Sequence, residues 1–239
     1  MDRQQAIVPN DSILVQLVET MFAADDRGRL KGDAPHLYIL RTPELVICRC
    51  HADLADEIAT TVEELSVRPR GLPREWAREY ADYLGALSSV GPLMSMRAGQ
   101  LYRFPDLLAL EGTYISIVES NTDLLRGGLD EWLPDVAVGL PMVAMVADGR
   151  AVSICTSVIA SMTVHSAGVE TLPDYRRRGL GVQAVAGWAR TVQASGPTPF
   201  YGTTFDNVAS QRLAARLGLS LVGAEFSLTC ETCSVQSPT

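Results

Sequence analysis

The residues best suited to chemistry are three arginines directly before two glycines, in the run Arg176-Arg177-Arg178-Gly179-Leu180-Gly181. Guanidinium groups bind phosphate oxygens in pairs, and glycine lets a ligand come close to the backbone. A helix is predicted to begin at about Val182, and the unpaired N–H groups of its first turn favour an anion. This combination predicts a cradle for a pyrophosphate group.

Two well-known phosphate-binding motifs do not describe this loop. A P-loop requires Gly-Lys-Ser/Thr after its glycines, and the fingerprint of dinucleotide-binding domains requires a complete G-x-G-x-x-G. Neither pattern is present. An arginine run by itself is equally typical of a solvated turn, so the surrounding elements decide its meaning.

Strands and helices alternate around the loop. Two apolar runs flank Asp148-Gly149, which is a strong hairpin signal. A third strand, over residues 164–172, leads into the arginines. The remaining predicted elements are a helix over 182–192, a strand over 199–204, a helix over 207–217 and a strand over 220–228. This order predicts an α/β fold in which helices cover the faces of a mixed sheet (the α+β mixed-sheet type).

Two motifs of this region resemble those of the GCN5-related N-acetyltransferases (GNAT). The family's loop pattern, Gln/Arg-x-x-Gly-x-Gly/Ala, falls on Arg176, Gly179 and Gly181, and its proline falls on Pro173. Its second motif, Asn-x-x-Ala/Ser before a helix ending in Leu-Gly-Phe, is similar to residues 207–219. A bacterial subgroup with the wording GVETLP-x-YR and T-x-x-x-N-x-AS looks closer still. The resemblance implies a GNAT acyl-CoA N-acyltransferase fold with an added N-terminal α+β unit.

The resemblance also implies that acetyl-CoA binds as co-substrate, without a metal. The pantetheine arm would pair with the exposed edge of the strand that precedes the loop, and the loop would hold the pyrophosphate. Asn207 would bind the pantetheine end, although it is equally the expected N-cap of its helix. The implied CoA contacts are Val169, Glu170, Thr171, Arg176, Arg177, Arg178, Gly179, Leu180, Gly181, Val182, Asn207 and Ser210.

The implied reaction is direct attack of a neutral amine on the thioester, which needs a base and a donor to the developing oxyanion. A backbone N–H near Thr171 suits the oxyanion. Glu170 and His165 are the candidate bases; the alternatives are a surface carboxylate and a strand-end histidine. Many family members carry a tyrosine in the last helix as general acid, and Ala214 stands at that position.

The predicted function is therefore N-acetyl transfer from acetyl-CoA to a primary amine on a small molecule or peptide. The alternatives are a catalytically weak acyl-CoA-binding or regulatory module and a longer-chain N-acyltransferase. A polyamine or aminoglycoside would be steered by the acidic chain. Trp132, residues 153–157 and Phe205 could line the acceptor site.

Residues 1–105 are predicted to form a separate α+β unit, and residues 106–239 the acetyltransferase domain. The first unit combines a helix over 13–21 capped by Asp11, two strands around a turn at Thr42, helices over 54–65 and 76–87, and a strand over 94–104. A strand over 114–118 and a helix over 124–132, capped by Asn121 or Thr122, open the second. The N-terminal unit could contribute to the acceptor site, form a homodimer or be a degenerate copy of the core fold.

Composition bounds the remaining possibilities. The chain has 239 residues and a net charge of −8, with Lys31 as its single lysine, so general nucleic-acid binding is not expected. The apolar run over 136–147 is too short to cross a membrane, and the N-terminus lacks a signal-peptide pattern. We therefore expect a cytoplasmic protein. The five cysteines lack zinc-finger spacing, and no metal site is expected.

Overall fold

The computed structural model describes residues 11–67, 76–106 and 113–231. The chain divides into two compact units. The first unit comprises Met1–Thr20 and Tyr102–Leu221, and the second comprises Met21–Leu101 and Val222–Thr239. The two units are interleaved along the chain, whereas the sequence analysis placed a single boundary after residue 105.

The second unit contains a four-stranded sheet with two helices. The strands are β1 (Leu37–Arg41), β2 (Val46–Cys50), most of β3 (Leu93–Arg103) and most of β9 (Ser220–Cys230), in the order β2-β1-β9-β3. The helices are α2 (Asp56–Ser66) and α3 (Trp76–Leu87). β1 is fully buried, and it pairs antiparallel with β2 on one side and β9 on the other.

The first unit carries the elements around the arginine–glycine loop. Its strands are β4 (Ile115–Ser116), β5 (Met142–Ala147), β6 (Arg150–Ala160), β7 (Val164–Thr171) and β8 (Thr198–Thr204), paired in chain order. Its helices are α1 (Asp11–Met21, whose last residue lies in the second unit), α4 (Leu133–Val136), α5 (Leu180–Ser195) and α6 (Val208–Arg216). The residues before Asp11 lie outside the described part, so the predicted cap of α1 is not tested.

The predicted strand order and the hairpin are confirmed. β5, β6 and β7 are antiparallel, and β8 runs parallel to β7 after the crossover through α5. At the β5–β6 turn, Asp148 has φ 52° and Gly149 has φ 76°. Both central residues of a type I′ turn need positive φ, which Asp and Gly adopt readily.

The predicted helix over 124–132 is wrong. Residues Glu119–Leu125 form a 3-10 helix, Asp130–Trp132 form a second one, and only α4 is α-helical. Gly127 and Gly128 lie between them with φ 86° and 145°, a conformation that interrupts an α-helix. Asn121 does not begin a helix over 124–132, because it lies within the first 3-10 helix, where its Oδ1 accepts a hydrogen bond from N of Val118, the residue before that helix.

The core of the first unit lies between the sheet and α5. Trp188 on α5 is fully buried and packs edge-on against Phe104. Gly187 leaves room for the Tyr114 ring, since a Cβ there would come within 2.6 Å of it. Tight packing along α5 therefore fixes where its N-terminus lies relative to β7.

Candidate active site

β7 and β8 separate at the centre of the first unit. Their parallel pairing comprises Val164 with Thr198, His165 with Pro199 and Ser166 with Phe200. On the other side, β7 stays paired with β6 as far as Thr171. The stretch of β7 after Ser166 therefore has an edge that faces an opening between β7 and β8, which we call the wedge. An extended ligand could add to this edge as a strand does.

The loop after β7 turns directly into the N-terminus of α5. Arg177 has φ 62° and Gly179 has φ 81°, so the backbone is left-handed at both positions. α5 then begins at Leu180, two residues before the predicted start, and no side chain caps it. The N–H groups of its first turn are thus left for an anion.

Gly181 brings the start of α5 close to the end of β7. A Cβ at this position would lie 3.1 Å from Thr171 Oγ1 and 3.9 Å from Val169 Cγ2. The absence of a side chain thus lets β7 and the first turn of α5 approach closely. These contacts also show that Val169 and Thr171 project from β7 toward α5, the side that we call the α5 face.

The three arginines of the loop have different surroundings. Arg176 Nε donates to Thr171 O at 3.0 Å and so links the loop back to β7. The Arg178 guanidinium lies 5.1 Å from the centre of the Tyr175 ring, whose hydroxyl donates to Asp148 Oδ2 at 2.6 Å. Arg177 differs by its left-handed backbone.

A fourth guanidinium, which the sequence analysis missed, lies at the loop. Arg216 is in the last turn of α6, and its terminal nitrogens lie 3.7 and 3.8 Å from the position that a Cβ would take at Gly179. Nothing in the spacing of the motifs indicates this proximity, because it arises from the packing of α6 beside α5. The fit for a polyanion such as a pyrophosphate is thereby improved.

Glu170 projects from β7 on the side opposite to the α5 face, because side chains alternate along a strand. The Trp132 indole Nε1 donates to Glu170 Oε2 at 2.6 Å. The charge of Glu170 raises the pKa of the nearby Glu131 carboxyl. Gly168 lies beside them, and its lack of a side chain admits Val158 and the Trp132 ring against the strand.

His165, the other candidate base, lies in the core on the α5 face. Its Nδ1 is 2.8 Å from Ser157 Oγ, which also accepts a hydrogen bond from Trp188 Nε1 at 2.9 Å. Burial lowers the pKa of His165, so the imidazole is neutral at neutral pH. The two candidate bases are therefore on opposite faces of β7, and the surroundings of His165 match the strand-end alternative.

The first turn of α6 presents the second motif. Asn207 Oδ1 accepts a hydrogen bond from Ser210 N at 3.0 Å, so Asn207 is the N-cap. The Ser210 hydroxyl is hydrogen-bonded to that of Tyr201 on β8. Ala214 is fully buried one turn further along.

Of the residues suggested for an acceptor site, some lie close to Glu170 and others are not linked to it. Trp132 contacts Glu170, as described above. Ser153 Oγ lies 2.7 Å from Thr171 Oγ1 and donates to Glu170 O at 3.0 Å. Residues 153–157 of β6 are buried, and Phe205 follows the end of β8.

Neither a metal centre nor a membrane span is seen in the described residues. Across 11–67, 76–106 and 113–231, no three His, Cys, Asp or Glu side chains are grouped as metal ligands would be. Within the same ranges, no helix is both long enough and apolar enough to cross a bilayer.

Comparison with known proteins shows what this region is similar to. Residues 139–224 match the family model described as GNAT acetyltransferase. A search of curated proteins returned no match. Among solved structures, a GNAT-family acetyltransferase from Novosphingobium aromaticivorans is 14% identical, with 92% of this chain and 96% of that chain covered and a TM-score of 0.54.

Two further structures have similar folds. A GCN5-related N-acetyltransferase from Kribbella flavida is 17% identical, with 96% and 98% of the two chains covered and a TM-score of 0.52. A GCN5-related N-acetyltransferase-like protein from Streptococcus suis is 14% identical, with 93% and 94% covered and a TM-score of 0.50. At these identities the likeness establishes the fold, and the family model independently matches the wedge and the loop. This chain thus has the fold of the GNAT acetyltransferases, and its residues 139–224 are similar to that family's model.

Proposed function

We propose that the protein transfers an acetyl group from acetyl-CoA to a primary amine of a cationic small molecule or peptide. The observation that carries this proposal is the wedge, whose β7 edge is followed, after the loop of residues 172–179, by the glycine-containing start of α5. CoA has two parts in the matching order: an extended pantetheine arm, which can pair with a strand edge, and a compact pyrophosphate anion.

The CoA contacts are proposed as in the sequence analysis. The backbone of Val169, Glu170 and Thr171 holds the pantetheine arm in the wedge. The N–H groups of residues 177–182 hold the pyrophosphate, and Arg178 and Arg216 add charge from two sides. Bound CoA supplies the activated acyl group as a thioester.

The proposed base is Glu170. It lies on the strand that carries the wedge, and the Trp132 indole fixes one of its carboxylate oxygens. The ammonium proton of the acceptor passes to Glu170, directly or through water, before the neutral nitrogen attacks. The Thr171 N–H is the proposed donor to the oxyanion.

A cationic acceptor is favoured by the side of β7 that carries Glu170. Trp132 offers an aromatic ring, and Glu131 and Glu170 place two carboxyl groups beside it. Aromatic faces and carboxylates both attract ammonium groups. Polyamines, aminoglycosides and basic peptides are accordingly the first acceptors to screen, against neutral and acidic amines.

The second candidate function is that of an acyl-CoA-binding module with weak or no turnover. Ala214 favours it, because this fully buried methyl group cannot protonate a leaving thiolate. Release of free thiol with any amine distinguishes the two functions. A longer-chain acyl donor is distinguished by comparing acetyl-CoA with a long-chain acyl-CoA.

The first experiment is a calorimetric and thermal-shift titration with acetyl-CoA and CoA. Ligand that binds only the native state raises the melting temperature. The double variant Arg178→Glu with Gly181→Asp is expected to lose the shift. Arg126→Glu is the control for Arg178→Glu, because it makes the same charge change as that substitution at an exposed residue of the first unit.

Two results would count against the proposal. One is the absence of any shift with every CoA species in folded wild-type protein. The other is an equal loss of the shift in the Arg126→Glu control, since the effect would then come from net charge rather than from the loop.

A further inference from the structure

The Tyr201–Ser210 hydroxyl pair lies where the wedge opens. Tyr201 directly follows Phe200, the last residue of β8 that pairs with β7. Its side chain is buried, and its hydroxyl is hydrogen-bonded to Ser210 Oγ in the first turn of α6. Ser210 is only partly buried, so its hydroxyl can meet both the phenol behind it and a ligand in front of it.

Burial and two neighbouring groups determine the protonation state of this pair. Burial raises the pKa of the Tyr201 phenol, and the nearby Cys155 and Tyr102 raise it further, while the hydrogen bond to Ser210 has the opposite effect. Burial likewise raises the pKa of the Cys155 thiol and of the Tyr102 phenol. Tyr201 therefore keeps its phenolic proton at neutral pH and can donate a hydrogen bond.

The orientation of Ser210 is fixed from two sides. Its backbone N–H donates to Oδ1 of the Asn207 cap, and its hydroxyl is hydrogen-bonded to that of Tyr201, where either oxygen can be the donor. When Tyr201 donates, the serine oxygen accepts and its own proton is left for another partner. A ligand in the wedge is the partner that we consider.

We propose that Ser210 donates a hydrogen bond to the departing sulfur of the thioester and that Tyr201 is the positioning residue behind it. The inference rests on the proposed function. As the C–N bond forms and the C–S bond breaks, the electron pair goes to sulfur, where the Ser210 hydroxyl stabilises the negative charge. The nitrogen gives up two protons through Glu170 and water, one before the attack and one as the amide forms; sulfur finally takes one and bulk water the other, so no other reactant is needed.

Ser210 would supply the hydrogen-bond donor to the leaving sulfur that the position of Ala214 lacks. A thiol of ordinary pKa, about 8.5, leaves as the thiolate, and the negative charge on its sulfur is costly in a site without a hydrogen-bond donor. The fully buried Ala214 cannot supply one, whereas Ser210 lies one turn earlier on the same helix.

The test compares the binding of CoA with that of desulfo-CoA, which lacks the sulfur, by calorimetry at pH 6.5 and pH 9.5. No acceptor amine is needed. Because Ser210 stabilises the thiolate, the preference of wild type for CoA over desulfo-CoA should grow about tenfold from the lower to the higher pH. That factor is the worth of one hydrogen bond to a charged group at the low end of its range.

Four variants make the result specific. Ser210→Ala should lose the increase, Ser210→Thr should retain it, and Tyr201→Phe should reduce it. Tyr38→Phe is the control, because it also removes a buried phenol hydrogen bond, to Glu225 in the second unit. It should keep the wild-type preference.

The outcomes separate the two ideas. If wild type binds both ligands but its preference does not change with pH, or if Ser210→Ala and Tyr38→Phe behave alike, the inference is overturned and the proposed function stands. If wild type binds neither ligand, both fail. Once an acceptor is known, Ser210→Ala should lower kcat by up to about tenfold and change KM little.

Discussion

Replacing Gly179 by alanine tests whether its left-handed backbone sets the first turn of α5. Gly179 has φ 81°, and a Cβ there would meet nothing closer than the Arg216 guanidinium at 3.7 Å. Steric conflict is therefore small, and the main penalty is that of a side chain in the left-handed region, about 1–2 kcal/mol. We expect Gly179→Ala to lower the free energy of unfolding by this amount.

Gly181→Ala is the matched control two residues further on. Gly181 does not have positive φ, and a Cβ there would lie 3.1 Å from the Thr171 hydroxyl. That contact requires Thr171 to shift by a few tenths of an ångström. The higher helix propensity of alanine compared with glycine stabilises the folded state by up to about 1 kcal/mol. The two effects oppose each other, so Gly181→Ala should be close to wild type in stability.

The assay is urea unfolding followed by circular dichroism, with CoA affinity measured on the same samples. An unchanged slope with a lower midpoint for Gly179→Ala would show a loss of stability without a change in the unfolded state. If the loop relieves its strain by leaving the left-handed conformation, the N–H groups of residues 180–182 turn away and CoA binds up to about tenfold more weakly. The reasoning is refuted if Gly179→Ala is as stable as wild type, or if Gly181→Ala loses more than Gly179→Ala.

Three other perturbations follow from the same geometry. Arg216→Gln should weaken CoA binding by about three- to tenfold and make the affinity less dependent on salt. Arg126→Gln is the control at an exposed arginine. Equal CoA affinity of wild type and Arg216→Gln would show that Arg216 is not part of the site. Asn207→Ala should lower stability by about 1 kcal/mol in urea through loss of the α6 cap, and Asn207→Asp should restore it. Burial lowers the folded-state pKa of His165, so the unfolded state binds more protons. The contribution of His165 to stability is therefore present above pH 6.5 and is lost as the pH falls through the folded-state pKa. His165→Gln should lose less stability on acidification than wild type, and identical stability profiles would contradict the assignment.

Much of the first unit follows from local sequence patterns. The β5–β6 hairpin is predictable because Asp148-Gly149 suits a type I′ turn, and β7, α5, β8 and α6 follow from apolar periodicity and from Asn207 and Gly218 as end signals. The failure over 124–132 has a local cause as well. The apolar spacing there fits a helix, but two adjacent glycines with positive φ override it.

The parts of the site that depend on tertiary packing could not be predicted. Arg216 reaches Gly179 only because α6 lies beside α5, and Tyr201 meets Ser210 only because β8 and α6 pack together. Sequence order likewise gives no way to choose between His165 and Glu170 as the base. The alternation of side chains along β7 separates them, because odd-numbered residues from His165 to Thr171 project toward α5 and even-numbered ones project away from it.

β7 performs three separate tasks because a strand has two faces and two edges. Its α5 face holds Val169 and Thr171 against Gly181 and so sets the position of the phosphate-binding turn. Its opposite face carries Glu170 beside Trp132. One edge is fixed by β6, and the other opens into the wedge. A slip of one residue in the β6–β7 register would exchange the two faces, moving the carboxylate into the core and Val169 toward Trp132. The pairing of Ser153 with Thr171, reinforced by their hydroxyl contact, therefore protects the chemistry as much as the fold.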